Sequence, residues 1–257
     1  MRIQDVKAID MHTHIDHGVQ FDSPNEVKCF YTSYKDKLLE IEKAANIEYM
    51  FASTFASILS GATVEAENEY MYGISMECDR IYQWVVIDPR NENTFKQAEN
   101  MLKSEKCVGI KLHPVYHGYS VEEYADKIFS FSSEYNAKVL IHPDKRADYI
   151  VPIADKYPDT TFIMAHLGDE YWVEAIKKAK FKNVYVDTSG IASSYNLIVE
   201  YAVKETGSEH ILFGTDTYAA GFQRGRIEYA LISARDKENI LRNNSLNLFT
   251  SNLKQNI

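Results

Sequence analysis

The chain has only three cysteines in 257 residues, at positions 29, 78 and 107. They are odd in number, far apart and never in a CxxC arrangement, which leaves no disulfide framework and no cysteine-based metal ribbon. Reduced thiols are expected, with Cys107 at the head of an apolar run reading as core. Long apolar runs are also missing. The N-terminal MRIQDVKAIDMHTH has no signal-peptide core, and no stretch approaches the roughly 20 apolar residues of a membrane span. The expected location is therefore the cytosol, with no membrane partner. Basic charge is in the minority: 28 Lys and Arg stand against 37 Asp and Glu, for a formal net charge of -9 and a pI near 5.4. Such a field repels polyanions, so nucleic acid is not an expected partner. A local basic pocket can still take a small carboxylate or phosphate. Internal repeats, low-complexity tracts and linker-like segments are absent, so residues 1–257 read as one domain.

What is present is an ordinary globular composition, 45% hydrophobic and 25% charged, arranged as short β-rich runs alternating with amphipathic helical windows. The runs predicted as strands are 6–15, 47–54, 82–89, 107–114, 138–144, 161–168, 184–189 and 211–216. Helices are predicted at 35–46, 94–103, 121–135, 147–157, 171–179, 195–205 and 226–235, with a terminal one near 237–249. Segments 16–34 and 55–80 exceed ordinary βα loops and are candidate active-site loops or insertions. Eight β/α units in about 250 residues fit a single (β/α)8 TIM-type barrel. An open doubly wound sheet usually carries a Gly-rich phosphate turn after its first strand, and here that strand ends in histidines.

The first strand contains IDMHTHI. A two-residue period predicts Asp10, His12 and His14 on one face and Ile9, Met11, Thr13 and Ile15 on the other. In a (β/α)8 barrel the chemistry lies at the C-terminal strand ends. Those ends carry His12 and His14 on strand one, Lys111 and His113 on four, His142 on five, His166 on six, Asp187 on seven and Asp216 on eight. Imidazoles with a carboxylate are the donors that hold Zn²⁺ or a related ion with one position open. The bland alternative for each is a hydrogen-bonded residue capping a strand end.

HxH on the first strand, GIKLHP on the fourth, IHP on the fifth, MAHLG on the sixth, FGTD on the eighth and NSLNLF near the end together resemble the amidohydrolase superfamily. The narrower likeness is to the amidohydrolase-related branch that includes aminocarboxymuconate-semialdehyde decarboxylase. It runs from Asp10 to about Phe249. The resemblance implies His12, His14, His142 and Asp216 as metal ligands. It makes His166 a catalytic or substrate-polarising histidine around one metal, or a ligand of a second. Lys111 corresponds to a position where some relatives carry a carboxylated, metal-bridging lysine. Its alternatives are substrate binding or pairing with Asp10 or Asp187. The chain departs from the family after strand eight, reading TYAAG where an aromatic residue and a proline are common.

These residues predict a metal-dependent hydrolase with one Zn²⁺ ion, or two with Lys111 and His166 in the shell. Asp216 and His166 are its candidate catalytic residues, acting on a small-molecule amide, ester or lactone. His113, Lys111, Arg146 and Tyr116 are the candidate substrate contacts, and a carboxylate substrate is expected. Arg224, Arg226, Tyr171 and Trp172 are further candidates near the pocket, and His117 and His210 are expected outside it. The nearest alternative is a metal-dependent decarboxylase of an unsaturated or aromatic carboxylate. A TatD-type deoxyribonuclease would need a glutamate where the chain has Val108-Gly109-Ile110-Lys111, and a noncatalytic metal- or ligand-binding barrel is the remaining class. The assembly to test is a homodimer.

Overall fold

The computed structural model describes residues 2–16, 34–59 and 63–253. Eight parallel strands follow one another in chain order: β1 (Ala8–Ile15), β2 (Ile47–Thr54), β3 (Ile81–Val86), β4 (Cys107–Leu112), β5 (Lys138–Ile141), β6 (Phe162–Met164), β7 (Val184–Asp187) and β8 (Ile211–Leu212). The ladder of β8 is short. Beyond it the chain still closes on β1, with Met11 N donating to Phe213 O at 3.0 Å and Asp216 N to His12 O at 2.7 Å. The fold is a single (β/α)8 barrel, as expected from the alternation.

Side chains sort into two shells. Outward positions such as Ala8, Ile47, Val85, Ile110, Val139, Phe162, Val186 and Ile211 pack under the helices in one large buried cluster. Inward positions Ile9, Met11, Phe51, Tyr82, Trp84, Leu140, Ile163 and Leu212 fill the barrel, which Phe249 and Leu253 of the C-terminal helical segment plug from below. Phe249 meets Phe51 edge-on at 4.8 Å and Trp84 at 5.8 Å, a favoured aromatic geometry.

Strand β1 corrects the simple alternation. Its register against β2 slips between Asp10 and Thr13, and such a bulge turns two successive residues to one face. Met11 and His12 therefore both point inward, and Asp10 points outward. The Trp84 indole donates to Met11 O at 2.8 Å, satisfying a carbonyl at the irregularity. Asp10 accepts from Thr215 N and Oγ1 and from His12 N. Behind it lies Glu42 of the helix Lys35–Ala44. Burial pushes the Asp10 carboxyl up to about 8, and burial together with Asp10 raises Glu42 as well.

The helices also differ from expectation in two places. Segment 55–80 holds a short helix, Phe55–Ile58, and a regular crossover helix, Val64–Glu77. Its buried Val64, Met71 and Ile74 give it an apolar face despite three glutamates and Gly73 in its interior. The helix predicted at 226–235 instead runs Ala220–Glu228, followed by a second one at Ala234–Glu238. Segment 16–34 lies outside the described residues except for Asp16 and Tyr34. No helix of the described residues is long and apolar enough to cross a membrane. Cys107 is buried as expected, and Cys29 lies outside the described residues.

Candidate metal centre

Strands β5 and β7 deliver their side chains to the C-terminal mouth by continuing the inward pattern below them, whereas on β6 His166 follows inward Ala165 and reaches the mouth through its left-handed backbone. On β5, Leu140 faces in, so His142 does too. On β7, Tyr185 and Asp187 share the inward face, and on β4 Val108 and Lys111 do, after a second register slip. The bulge in β1 supplies His12 and His14.

The result is a buried polar cluster. His12 Nε2 lies 3.5 Å and His14 Nε2 3.1 Å from Asp216 Oδ1, and His166 Nε2 lies 3.8 Å from Asp216 Oδ2. Donor atoms of His12, His166 and Asp216 all fall within 4.8 Å of one another, a spacing suited to one ion. His142 joins through Nδ1, 3.1 Å from His166 Nε2. His113 stacks flat on His142, with centroids 4.3 Å apart and ring planes 19° from parallel, and Tyr116 stacks on His113 from outside. Lys111 is fully buried, and its Nζ lies 2.5 Å from His12 Nε2.

Electrostatics suit the donors to a cation. Burial, with Lys111 nearby, holds the imidazolium of His12 down to about 3. Burial and His166 do the same for His142, also to about 3. Burial lowers His14 and His113 as well. These rings are neutral near pH 7, the form a metal requires. Burial opposes ionisation of Asp216, but His166 and the His14 hydrogen bond outweigh it and keep the carboxyl well below its ordinary range. Burial draws Lys111 down to about 8 against the pull of Asp216 and Asp187.

Backbone strain collects here too. His166 has φ 63° and Asp216 φ 54°, left-handed values that non-glycine residues seldom adopt outside turns and functional sites. Gly190 at φ 75° is required, because a Cβ there would sit 2.7 Å from His166 Nδ1 and 3.3 Å from Asp216 Oδ2.

Other candidates lie away from the cluster. Arg146 is largely exposed, pairing with Asp148 at 2.9 Å and covering the Tyr171 ring at 3.8 Å. Trp172 is tied by its indole to Ala165 O. Arg224 is buried and donates to Asn46 O, Ile3 O and Val6 O while pairing with Glu228, so it is a structural clamp and not a substrate contact. Arg226 reaches Thr188 O at 3.4 Å. His210 bonds Val184 O at the opposite end of the barrel and His117 bonds Ser57 O, both outside the cluster as expected. Sequence reading gave no role to Ser53, which contacts His14 Nδ1 at 3.0 Å, or to Ser189, which contacts His166 Nδ1 at 2.9 Å. Short hydroxyls two residues past or one before a strand end carry no pattern of their own. The VDTSG run at 186–190 was the available signal.

A (β/α)8 barrel with neutral histidines and an ionised carboxylate at its C-terminal mouth defines a class: a metal-dependent barrel enzyme. The chain belongs to the amidohydrolase family, whose model matches residues 9–250. No curated protein matches it. Among solved structures it is similar to 2,6-dihydroxybenzoate decarboxylase from Rhizobium, at 15% identity and TM-score 0.73 over 95% of this chain and 98% of the other. It is also similar to manganese-bound 5-carboxyvanillate decarboxylase from Novosphingobium aromaticivorans, at 15% identity and TM-score 0.74 over 96% and 97%. A Pseudomonas putida protein proposed to hydrolyse 2-pyrone-4,6-dicarboxylic acid gives 15% identity and TM-score 0.72 over 96% and 98%. At these identities the likeness is one of fold. Family and donor chemistry agree on a divalent metal.

Proposed function

We propose that the protein is a metal-dependent decarboxylase of a small unsaturated or aromatic carboxylate. His12, His14, His142 and Asp216 would hold the ion, a nitrogen and oxygen donor set without thiolate that suits zinc and manganese alike. A bound divalent ion supplies Lewis acidity toward substrate oxygen atoms. The observation that carries the reading is Lys111. It is a buried cation at the centre of the cluster, beside His12 and within the field of Asp216. Added to a divalent ion, it leaves the mouth cationic against Asp187 and Asp216, which favours an anionic substrate. Lys111 would then pair with the substrate carboxylate or its neighbouring oxygen. His166, fixed through its Nδ1, would hold Nε2 toward the reacting carbon or oxygen and move a proton there. The His113 and Tyr116 stack offers a flat wall for a planar ring.

Hydrolysis of an ester, lactone or amide is the second reading, favoured by Asp216. An ionised carboxylate held by His14 can accept a proton from an attacking water and pass it to the leaving group. The decisive experiment uses protein loaded with Zn²⁺ or Mn²⁺. It is offered aromatic acids such as 2,6-dihydroxybenzoate and 5-carboxyvanillate, unsaturated dicarboxylates, and a panel of lactones, esters and amides. CO₂ release from a carboxylate supports decarboxylation. Turnover confined to the hydrolytic panel would transfer the assignment to the second reading.

A further inference from the structure

Among the described residues the carboxylate of Asp187 has no lysine or arginine in contact, yet it is fully buried. Its oxygens meet four donors. Oδ2 lies 2.8 Å from His12 Nδ1. Oδ1 accepts from His166 N at 3.1 Å, Ser189 N at 2.8 Å and Ser189 Oγ at 2.5 Å. Three of the four converge on Oδ1 and one reaches Oδ2. Two are backbone bonds that pin the left-handed His166 and the turn after β7.

Two ring orientations follow. A carboxylate only accepts, so His12 Nδ1 carries the hydrogen and Nε2 is bare. The other side agrees independently, because Lys111 Nζ lies 2.5 Å from that Nε2 and an ammonium only donates. Ser189 Oγ spends its hydrogen on Asp187, leaving lone pairs for His166 Nδ1 at 2.9 Å and for His12 Nδ1 at 3.0 Å, and Ser189 O accepts from His166 Nδ1 at 3.3 Å. His166 therefore also carries its hydrogen on Nδ1 and turns a bare Nε2 toward Asp216 and His142.

We infer that Asp187 is a positioning residue that keeps both histidines protonated on Nδ1, His12 directly and His166 through Ser189, so that the Nε2 lone pair of His12 faces the ion and that of His166 faces the reacting atoms. Carboxylates behind metal-bound imidazoles act this way in general, and losing one typically costs roughly 10–100-fold in metal affinity. The inference rests on the metal-binding part of the proposed function and does not depend on which bond is broken.

Asp187→Asn tests it sharply. Two backbone N–H groups and a hydroxyl demand an acceptor at Oδ1, so the asparagine oxygen takes that place and its NH₂ faces His12 Nδ1. The backbone bonds survive, while the His12 Nδ1 hydrogen loses its carboxylate acceptor and keeps only Ser189 Oγ, 3.0 Å away. Tautomers are read by long-range ¹H–¹⁵N NMR on histidine-labelled, metal-free protein, and affinity by Mn²⁺ and Zn²⁺ titration. The expected result has wild-type His12 and His166 protonated on Nδ1. D187N should show His12 no longer held in the Nδ1-protonated form alone, metal affinity down by roughly 10–100-fold, and a metal-free melting temperature close to wild type. Ser189→Ala should shift the His166 signals, leave His12 on Nδ1, and weaken metal binding less than D187N. Wild-type affinity in a folded D187N, or a wild-type His12 protonated on Nε2, overturns the inference. If D187N does not fold, the wild-type spectrum and S189A decide it. A wild-type protein that binds no divalent ion defeats the proposed function, whereas the tautomers of metal-free protein judge the role of Asp187 alone.

Discussion

The two ends of the barrel carry the same unusual backbone conformation for different reasons. At the N-terminal end, Asn46, Asn136 and Lys182 have φ of 53°, 49° and 53° in the turns that lead from a helix into β2, β5 and β7. A left-handed residue after a helix satisfies its last carbonyls, and asparagine tolerates it well. At the C-terminal end, His166 and Asp216 adopt it beside the metal cluster, where no helix is being capped. There the strain is held by specific bonds, from His166 N to Asp187 and from Asp216 N to His12 O. One end uses the conformation to make turns, the other to aim side chains. The interior divides in the same way, with Phe51, Trp84 and Phe249 packed below and nearly all buried polar groups of the barrel lumen above.

This contrast predicts that activity and stability separate along the barrel axis. The largest effect on turnover is expected from Asp216→Asn or His12→Ala. Either should cost more than the roughly 100-fold typical of losing a supporting partner, with bound metal lost in elemental analysis and the metal-free melting temperature little changed. Phe249→Ala should do the reverse, lowering stability by about 3–5 kcal/mol in urea titration while turnover at low temperature stays near wild type. If Phe249→Ala abolishes metal binding in folded protein, the separation fails. Gly190→Ala should lose on the order of 10²-fold in activity, because its Cβ displaces the His166 ring. Its stability cost should be only about 1–2 kcal/mol, since the site also becomes strained.

The pH dependence follows from the same end of the molecule. In metal-free folded protein His12 and His142 resist protonation down to about 3, while unfolded chains take up protons below about 6.5. The unfolded state then binds more protons, so stability should fall as pH drops from about 6.5 toward 3. Chemical denaturation of metal-free protein at several pH values measures this, and a flat profile would mean that these rings are not buried and neutral. The smallest change comes from Lys182→Gly, which relieves a left-handed residue at the N-terminal end. It should stabilise by about 1 kcal/mol with unaltered activity, whereas His166→Gly relieves the same strain and destroys function.

Much of this was legible in the chain. Eight apolar runs with polar ends located the strands, and the ordered histidines placed His12, His14, His142, His166 and Asp216 at one mouth. The bulge in β1 was not legible, because it is set by pairing with β2 and by the Trp84 indole some 70 residues away. Strict alternation therefore put Asp10 on the wrong face. The crossover helix Val64–Glu77 was legible only as part of a long segment, an active-site loop or insertion, because its apolar positions are sparse among acids. Arg224 looked like a pocket cation because sequence places it after strand eight. The antiparallel return of its helix carries the side chain back to carbonyls near the N-termini of β1 and β2.

The sequence by itself determined which elements form and which end of the barrel is polar, because both follow from local periodicity and from residue type at strand ends. Tertiary structure decided which atoms meet and in which protonation state. Asp187 is one acidic residue among many in the sequence. It gains its role only where burial strips it of water and leaves His12, His166 and Ser189 as the donors that can satisfy it.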